Sequence, residues 1–178
     1  MPERTLTLRD LNRATLARQM LLEREKISVT GAVDRLVGLQ AQVPSPPYIG
    51  LWTRLRDFRR EDLTESLEQR QVVRAALMRS TLHLMTAEDY LLLRRAIQPA
   101  LVRGLNGFFG KRAKDLDVEK LVAAAKKSLE EKPLAQGELR DVLSEVEPDR
   151  DVAALAYTVR TYLPMVQIPS GGRWGYSN

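Results

Sequence analysis

The chain has 178 residues, 44% of them hydrophobic and 29% charged, the composition of an ordinary globular protein long enough for one large domain or two small ones. It has no cysteine and one histidine, which leaves no basis for a disulfide framework, a thiolate metal site or a zinc site. The net charge of +5 is local: residues 1–60 hold 11 Lys/Arg against 6 Asp/Glu, whereas 61–110 hold 6 against 6 and 111–178 hold 11 against 11. Nearly all of that basic third is arginine, which suits phosphates and base edges, so the charge favours a nucleic acid over an acidic metabolite. A solvated basic face is the plain alternative. Residues 1–4 show no signal peptide, and no apolar run is long enough to span a bilayer, so a cytoplasmic protein is expected.

Thr7 and Asp10 have the spacing of a capping box, opening a first helix whose inward stripe is Leu11, Ala14, Ala17 and Leu21. Ser28–Gly31 interrupts the pattern, and a second helix is predicted from about Ala32 to Gln40. Three prolines (Pro44, Pro46, Pro47) stop it. Tyr48, Leu51, Trp52 and Leu55 share one face of a third helix, with Arg54, Arg56, Arg59 and Arg60 clustered at its end. Glu61–Gln69 reads as a short fourth helix. The period then changes to two: 73–77 and 82–84 alternate around an Arg79–Ser80 turn, which predicts a hairpin. Helices followed by a hairpin is the order of a winged helix.

A second capping box at Thr86–Asp89 opens a long helix expected to run to about Leu105, where Gly104, Gly107 and Gly110 end it in a loop holding Phe108 and Phe109. Helices over 117–131, 136–145 and about 150–163 follow. Residues 165–168 and 173–176 flank Pro169–Gly172 as a second hairpin. The expected fold is therefore mainly α with small β-hairpins, as tandem winged helix-turn-helix units. Residues 1–86 form the first unit, and 87–178 a linking helix plus the second.

The unusual stretch is Leu36–Leu51. Val33, Leu36 and Val37 lie on one helical face, and the next position on it, Gln40, is an amide where an apolar residue is due. Gln42 follows. A polar amide on a core-facing ridge must find hydrogen bonds or cost stability. The pair is either a polar site or a device that ties down a loop.

Familiar catalytic patterns are missing. Gly104–Arg112 has Leu105 where a P-loop needs its first glycine and Arg112 where it needs Ser or Thr, no Gly-x-Ser-x-Gly occurs, and no facing pair of carboxylates is evident. His83, between Leu82 and Leu84, is either a polar contact to substrate or DNA or a structural histidine. Trp52 is expected in the core, while Trp174 suits stacking or packing. Arg54, Arg56 and Arg59, with Arg79 and Arg173 in the two hairpins, are the expected DNA contacts. The alternative for the helix-end cluster is solvated cations complementing a helix C-terminus.

Several blocks then align in order with one family: Leu-Asn-Arg-Ala-Thr-Leu-Ala-Arg-Gln (11–19), Ala-Val-Asp-Arg-Leu-Val-Gly-Leu-Gln-Ala-Gln (32–42), Pro-Pro-Tyr-Ile-Gly-Leu-Trp (46–52) and Leu-Met-Arg-Ser-Thr-Leu-His-Leu (77–84). Together they resemble the bacterial tandem winged-helix DNA-binding family that includes the AlkZ-like DNA glycosylases, which excise N7-alkylguanines and unhook azinomycin-type crosslinks. The resemblance spans about residues 6–95 and continues more weakly beyond. It places that family's glutamine–apolar–glutamine motif on Gln40, Ala41 and Gln42, and so implies that Gln40 and Gln42 are catalytic. A related branch carries Asp at the second position, which this chain does not.

The implied partner is duplex DNA, damaged rather than intact, with no cofactor, no metal and no membrane. A monomer acting at the bacterial nucleoid is expected. The family's glycosylases are implied to hold three winged-helix units, of which this chain carries the first two, so the unit that completes the DNA channel is expected to be missing. A non-catalytic winged-helix regulator, an inactive fragment and a protein-interaction domain are the alternatives.

Overall fold

The computed structural model describes residues 5–176. The chain divides into two compact units: residues 1–74, 83–89 and 169–178 form one, and 75–82 with 90–168 form the other.

In the first unit, α1 (Leu8–Arg18) opens on the expected capping box. Thr7 Oγ1 accepts from the Asp10 N–H at 3.2 Å, and the Asp10 carboxylate accepts from the Thr7 N–H at 3.0 Å. The expected inward stripe is a correction. Leu11, Ala14, Ala17 and Leu21 are all exposed, and α1 buries no residue. Helical spacing makes a stripe available for burial, but only an opposing surface buries it, and the first unit's core closes around other residues.

The second helix, α2 (Val29–Arg35), starts and ends earlier than the apolar spacing suggests. Ser28 caps it, accepting from the Gly31 N–H at 3.0 Å. It stops in a Schellman motif: the Gly38 N–H reaches the Val33 carbonyl (3.0 Å) and the Val37 N–H reaches that of Asp34 (2.8 Å). Val37 takes the left-handed conformation (φ 56°) and Gly38 lies at φ 98°. A Cβ at Gly38 would sit 2.8 Å from the Leu84 carbonyl oxygen, so only glycine allows this approach.

The chain leaves the motif as β1 (Leu39–Gln40). Pro46 and Pro47 then begin α3 (Pro46–Trp52), where a missing N–H costs nothing, rather than ending the helix before it. Next comes α4 (Arg60–Glu68), where the Asp62 carboxylate accepts from the Arg59 N–H at 2.8 Å. The hairpin follows as β2 (Val72–Ala76) and β3 (Leu82–Thr86), and the sheet order is β1-β3-β2. The sequence α2–β1–α3–α4–β2–β3 is winged-helix-like. The core gathers Met20, Val33, Leu51, Leu63, Val72 and Leu84.

Residues 165–176, expected as a second hairpin, hold no strand among the described residues, only a bridge residue at Gln167. Ser170 instead donates to the Gly175 carbonyl across a turn, and Tyr176, Trp174 and Tyr48 pack into the core of the first unit. Two large aromatic rings are worth more buried than paired along a solvent-facing ribbon.

The second unit is helical. The long helix expected from residue 87 is broken into α5 (Ala87–Ala96) and α6 (Gln98–Phe109), with Pro99 in the first turn of α6. Proline cannot donate to the residue four before it and disfavours helical geometry in the residue preceding it. Gly104 and Gly107, expected to end a helix, lie inside α6. Then α7 (Val118–Glu131), α8 (Gln136–Val146) and α9 (Val152–Tyr162) pack around Leu116, Leu121, Leu143, Leu155 and Val159. Buried Arg94 donates to the Thr161 carbonyl (2.7 Å) and to Gln98. Among the described residues no helix is long and apolar enough to cross a membrane.

Candidate active site

Gln40 lies on a strand rather than on a helical ridge, and it is exposed rather than turned to the core. Once α2 has ended in the left-handed Val37–Gly38 pair, the backbone is extended through β1. Ala41 is buried (1% exposed) between exposed Gln40, which ends β1, and exposed Gln42, in the bend that follows. The small apolar residue anchors the segment, and the amides are presented.

The anchor has a second part. Arg74, on β2, is buried, and its guanidinium donates from Nε to the Ala41 carbonyl (2.9 Å) and from Nη2 to that of Gln42 (3.1 Å). The Tyr176 ring lies beneath it at 4.8 Å. One planar fork therefore holds two consecutive carbonyls of the candidate motif. Burial lowers the Arg74 pKa, partly opposed by Tyr176, and raises that of Tyr176 to about 12. Sequence reasoning overlooked Arg74. Its signal was a single cation inside the apolar run 72–77.

His83 pairs across the sheet with Gln40, and its side chain is buried. Directly opposed residues share a face of the sheet, so the imidazole is the strand neighbour of the first amide.

The expected DNA contacts differ in what they already hold. Arg54 is half-buried and donates to the carbonyls of Gln19 (2.9 Å) and Gly50 (2.7 Å), tying the end of α3 to the turn after α1. Desolvation lowers its pKa. Arg56 donates once, to the Arg24 carbonyl at 2.8 Å, and is otherwise exposed. Arg59 flanks α4, with its side chain 77% exposed beside Asp62. Arg173 is exposed over the Trp174 ring at 5.2 Å. All of these belong to the unit that holds Gln40 and Gln42. Arg79 belongs to the other unit, at the tip of the hairpin. Trp52 is a correction: it is 53% exposed rather than core, with the Arg24 guanidinium 4.3 Å above it. Among the described residues no three His, Asp or Glu side chains converge in a way that would hold a metal.

Chemically, the arrangement offers two exposed amides on a segment whose backbone is anchored by Arg74. Amides donate and accept hydrogen bonds near neutrality without changing charge, so they orient rather than deprotonate.

The profile of a family described as DNA glycosylase AlkZ-like matches residues 33–178. The fold is similar to that of the Streptomyces sahachiroi DNA glycosylase AlkZ, with a TM-score of 0.70 and 21% identity over 89% of this chain. The chain spans 44% of the length of that structure. No curated protein matches it in sequence.

Proposed function

The chain belongs to the AlkZ-like DNA glycosylase family, and on that premise we propose that it binds damaged duplex DNA and hydrolyses the N-glycosidic bond of N7-alkylated purines, interstrand crosslinks among them. The observation that supports this reading is the placing of Gln40 and Gln42: two exposed amides either side of buried Ala41, with the Ala41 and Gln42 carbonyls held by buried Arg74.

An N7-alkylated guanine is already cationic, so its N9 departs as a neutral base without protonation by the protein. The bond from C1′ to N9 breaks, positive charge develops on the sugar, and a water oxygen bonds to C1′ and releases its proton to solvent. An amide is no general base, but this route needs none. Gln40 and Gln42 hold the water against C1′ and stabilise the oxocarbenium-like transition state through their carbonyl dipoles. Undamaged guanine, a poor leaving group, is left alone.

Arg56, Arg59, Arg79 and Arg173 contact phosphates in this reading. Arg54 supports them by holding the end of α3. The protein acts as a monomer on DNA of the bacterial cytoplasm, needing neither metal nor cofactor.

The test is release of free base from duplex DNA containing N7-methylguanine. Gln40→Ala and Gln42→Ala are each expected to slow release by about a hundredfold at unchanged DNA affinity. A chain that binds DNA and never yields an abasic site, even with the downstream part of a longer relative supplied, would sink the glycosylase reading.

A second reading is a non-catalytic winged-helix DNA-binding module. It is favoured by the exposure of both glutamines. Affinity that falls steeply with salt, without base release, is its signature.

A further inference from the structure

We propose that the open cleft at the tip of the β2–β3 hairpin, within the second unit, is a subsite for an unpaired DNA base, stacked on Phe108 with its phosphates held by Arg79 and Arg112. This rests on the DNA-binding part of the function proposed above. It concerns the second unit, whereas Gln40 and Gln42 belong to the first.

The cleft has a volume of about 400 Å³ and is lined by Arg79, Ser80, Phe108, Phe109, Arg112 and Tyr157. That is the small end of ligand sites, which run from about 300 to 1,000 Å³. Three rings make its apolar part: Tyr157 lies 6.0 Å from Phe108 and 5.0 Å from Phe109, tilted in both cases. Phe108 is 63% exposed. Such an aromatic ring on a soluble surface has a face open for stacking. The Tyr157 hydroxyl is buried without a hydrogen-bond partner among the described residues, which leaves an unmatched polar group in the lining.

Three arginines border the rings. Arg112 lies over Phe109 at 4.5 Å, and Arg160 over Tyr157 at 4.3 Å. Arg79 is exposed and has no ion pair or hydrogen bond through its guanidinium among the described residues. The nearby carboxylate, Asp151, is already committed: it caps α9 by accepting from the Ala153 and Ala154 N–H groups and receives Arg112 at 2.9 Å. Flat aromatic faces beside the unpaired Arg79 guanidinium and the already paired Arg112 are the recognition chemistry of a nucleotide, since every base has a π-face and every linkage an anion. A peptide of any but strongly acidic composition would leave Arg79 unmatched.

The hairpin tip is built to hold its shape. Arg79 and Ser80 are consecutive left-handed residues (φ 55° and 57°), and neither is glycine. The Ser80 N–H reaches the Leu77 carbonyl and the Leu77 N–H that of Thr81, both at 3.0 Å. Gly104 of α6 lies against the turn so closely that a Cβ there would be 2.5 Å from Ser80 Oγ. Backbone strain kept by surrounding contacts is a mark of functional sites, and here it fixes the base of the Arg79 side chain at the cleft.

The experiment compares two duplexes that differ by one bulged nucleotide, carrying 2-aminopurine as the bulged base, in binding to the full chain. The wild type is expected to favour the bulged duplex by about tenfold and to quench the probe on binding. Phe108→Ala abolishes the preference at unchanged affinity for the paired duplex, and Phe108→Tyr, which keeps the ring, retains it. Arg79→Ala lowers the salt slope of binding by about one. Equal affinities for the two duplexes, or a preference that survives Phe108→Ala, would overturn the subsite and leave the cleft as a face for another polypeptide. A chain that binds neither duplex fails here and in the function it rests on. Bulge preference without base release fails the glycosylase reading alone.

Discussion

Arg74 has the most demanding role of any single residue in the first unit. A guanidinium buried on a strand must replace its water with good acceptors, and it finds two adjacent carbonyls and a tyrosine ring. Lysine keeps the charge but not the planar fork, so Arg74→Lys leaves one of the two carbonyls without its partner. We expect a loss of about 1–3 kcal/mol of stability, read from the shift in urea midpoint. Base release should fall further than DNA affinity does, because the motif's backbone is what the fork holds. Equal losses in release and affinity would mean that Arg74 serves the fold alone. His83 gains a new context at the same scale, since a histidine that the sequence reads first as structural turns out to be buried and the cross-strand neighbour of Gln40.

Where α2 ends decides whether the glutamines belong to a helix or a strand. Val33, Leu36 and Val37 continue a helical face in the sequence, and the terminator is a two-residue turn, left-handed Val37 followed by Gly38. A β-branched residue in that conformation is strained by about 1–2 kcal/mol, so Val37→Gly is expected to stabilise the protein by about 1 kcal/mol. Gly38→Ala is expected to destabilise it by about 2 kcal/mol or more, since its Cβ would meet the Leu84 carbonyl at 2.8 Å. Opposite signs at adjacent positions in chemical denaturation check the turn, and two losses would contradict it. The capping box of α1 was legible because it joins residues three apart, whereas Ser28, which caps α2, reads in the sequence as part of a break. The exposed face of α1 was not legible, because no local pattern reports what lies across from a helix.

For the molecule as a whole, alkaline pH probes how the first unit is closed. Burial raises the pKa of Tyr176 to about 12 and lifts Tyr48 in the same direction; Tyr90, in the second unit, is raised too. A phenol whose folded pKa exceeds its unfolded value of about 10 favours the fold while neutral. That contribution is complete below about pH 10 and is lost as pH rises toward 12, amounting to about 2–3 kcal/mol for Tyr176. Stability should therefore fall between about pH 10 and 12, and Tyr176→Phe, which keeps the ring over Arg74, should flatten that fall. Denaturation midpoints across this range measure it, and an unchanged slope in the variant would refute the assignment. The arrangement also makes residues 169–176 part of the core of the first unit rather than a separate hairpin.

The sequence by itself determined the helical character, most helix starts, the first hairpin, the local arginine excess and the placing of two amides beside a chain break, because each depends on neighbours in the chain or on composition. Through the four blocks it also carried the family resemblance. Tertiary structure decided that Gln40 is on a strand, that Ala41 is the buried pivot between two exposed amides, that Arg74 and Tyr176 support them from distant stretches, and that Trp52 and the α1 leucines stay exposed. Those outcomes depend on what packs against each residue, and burial is a property of two surfaces, of which a linear pattern shows only one.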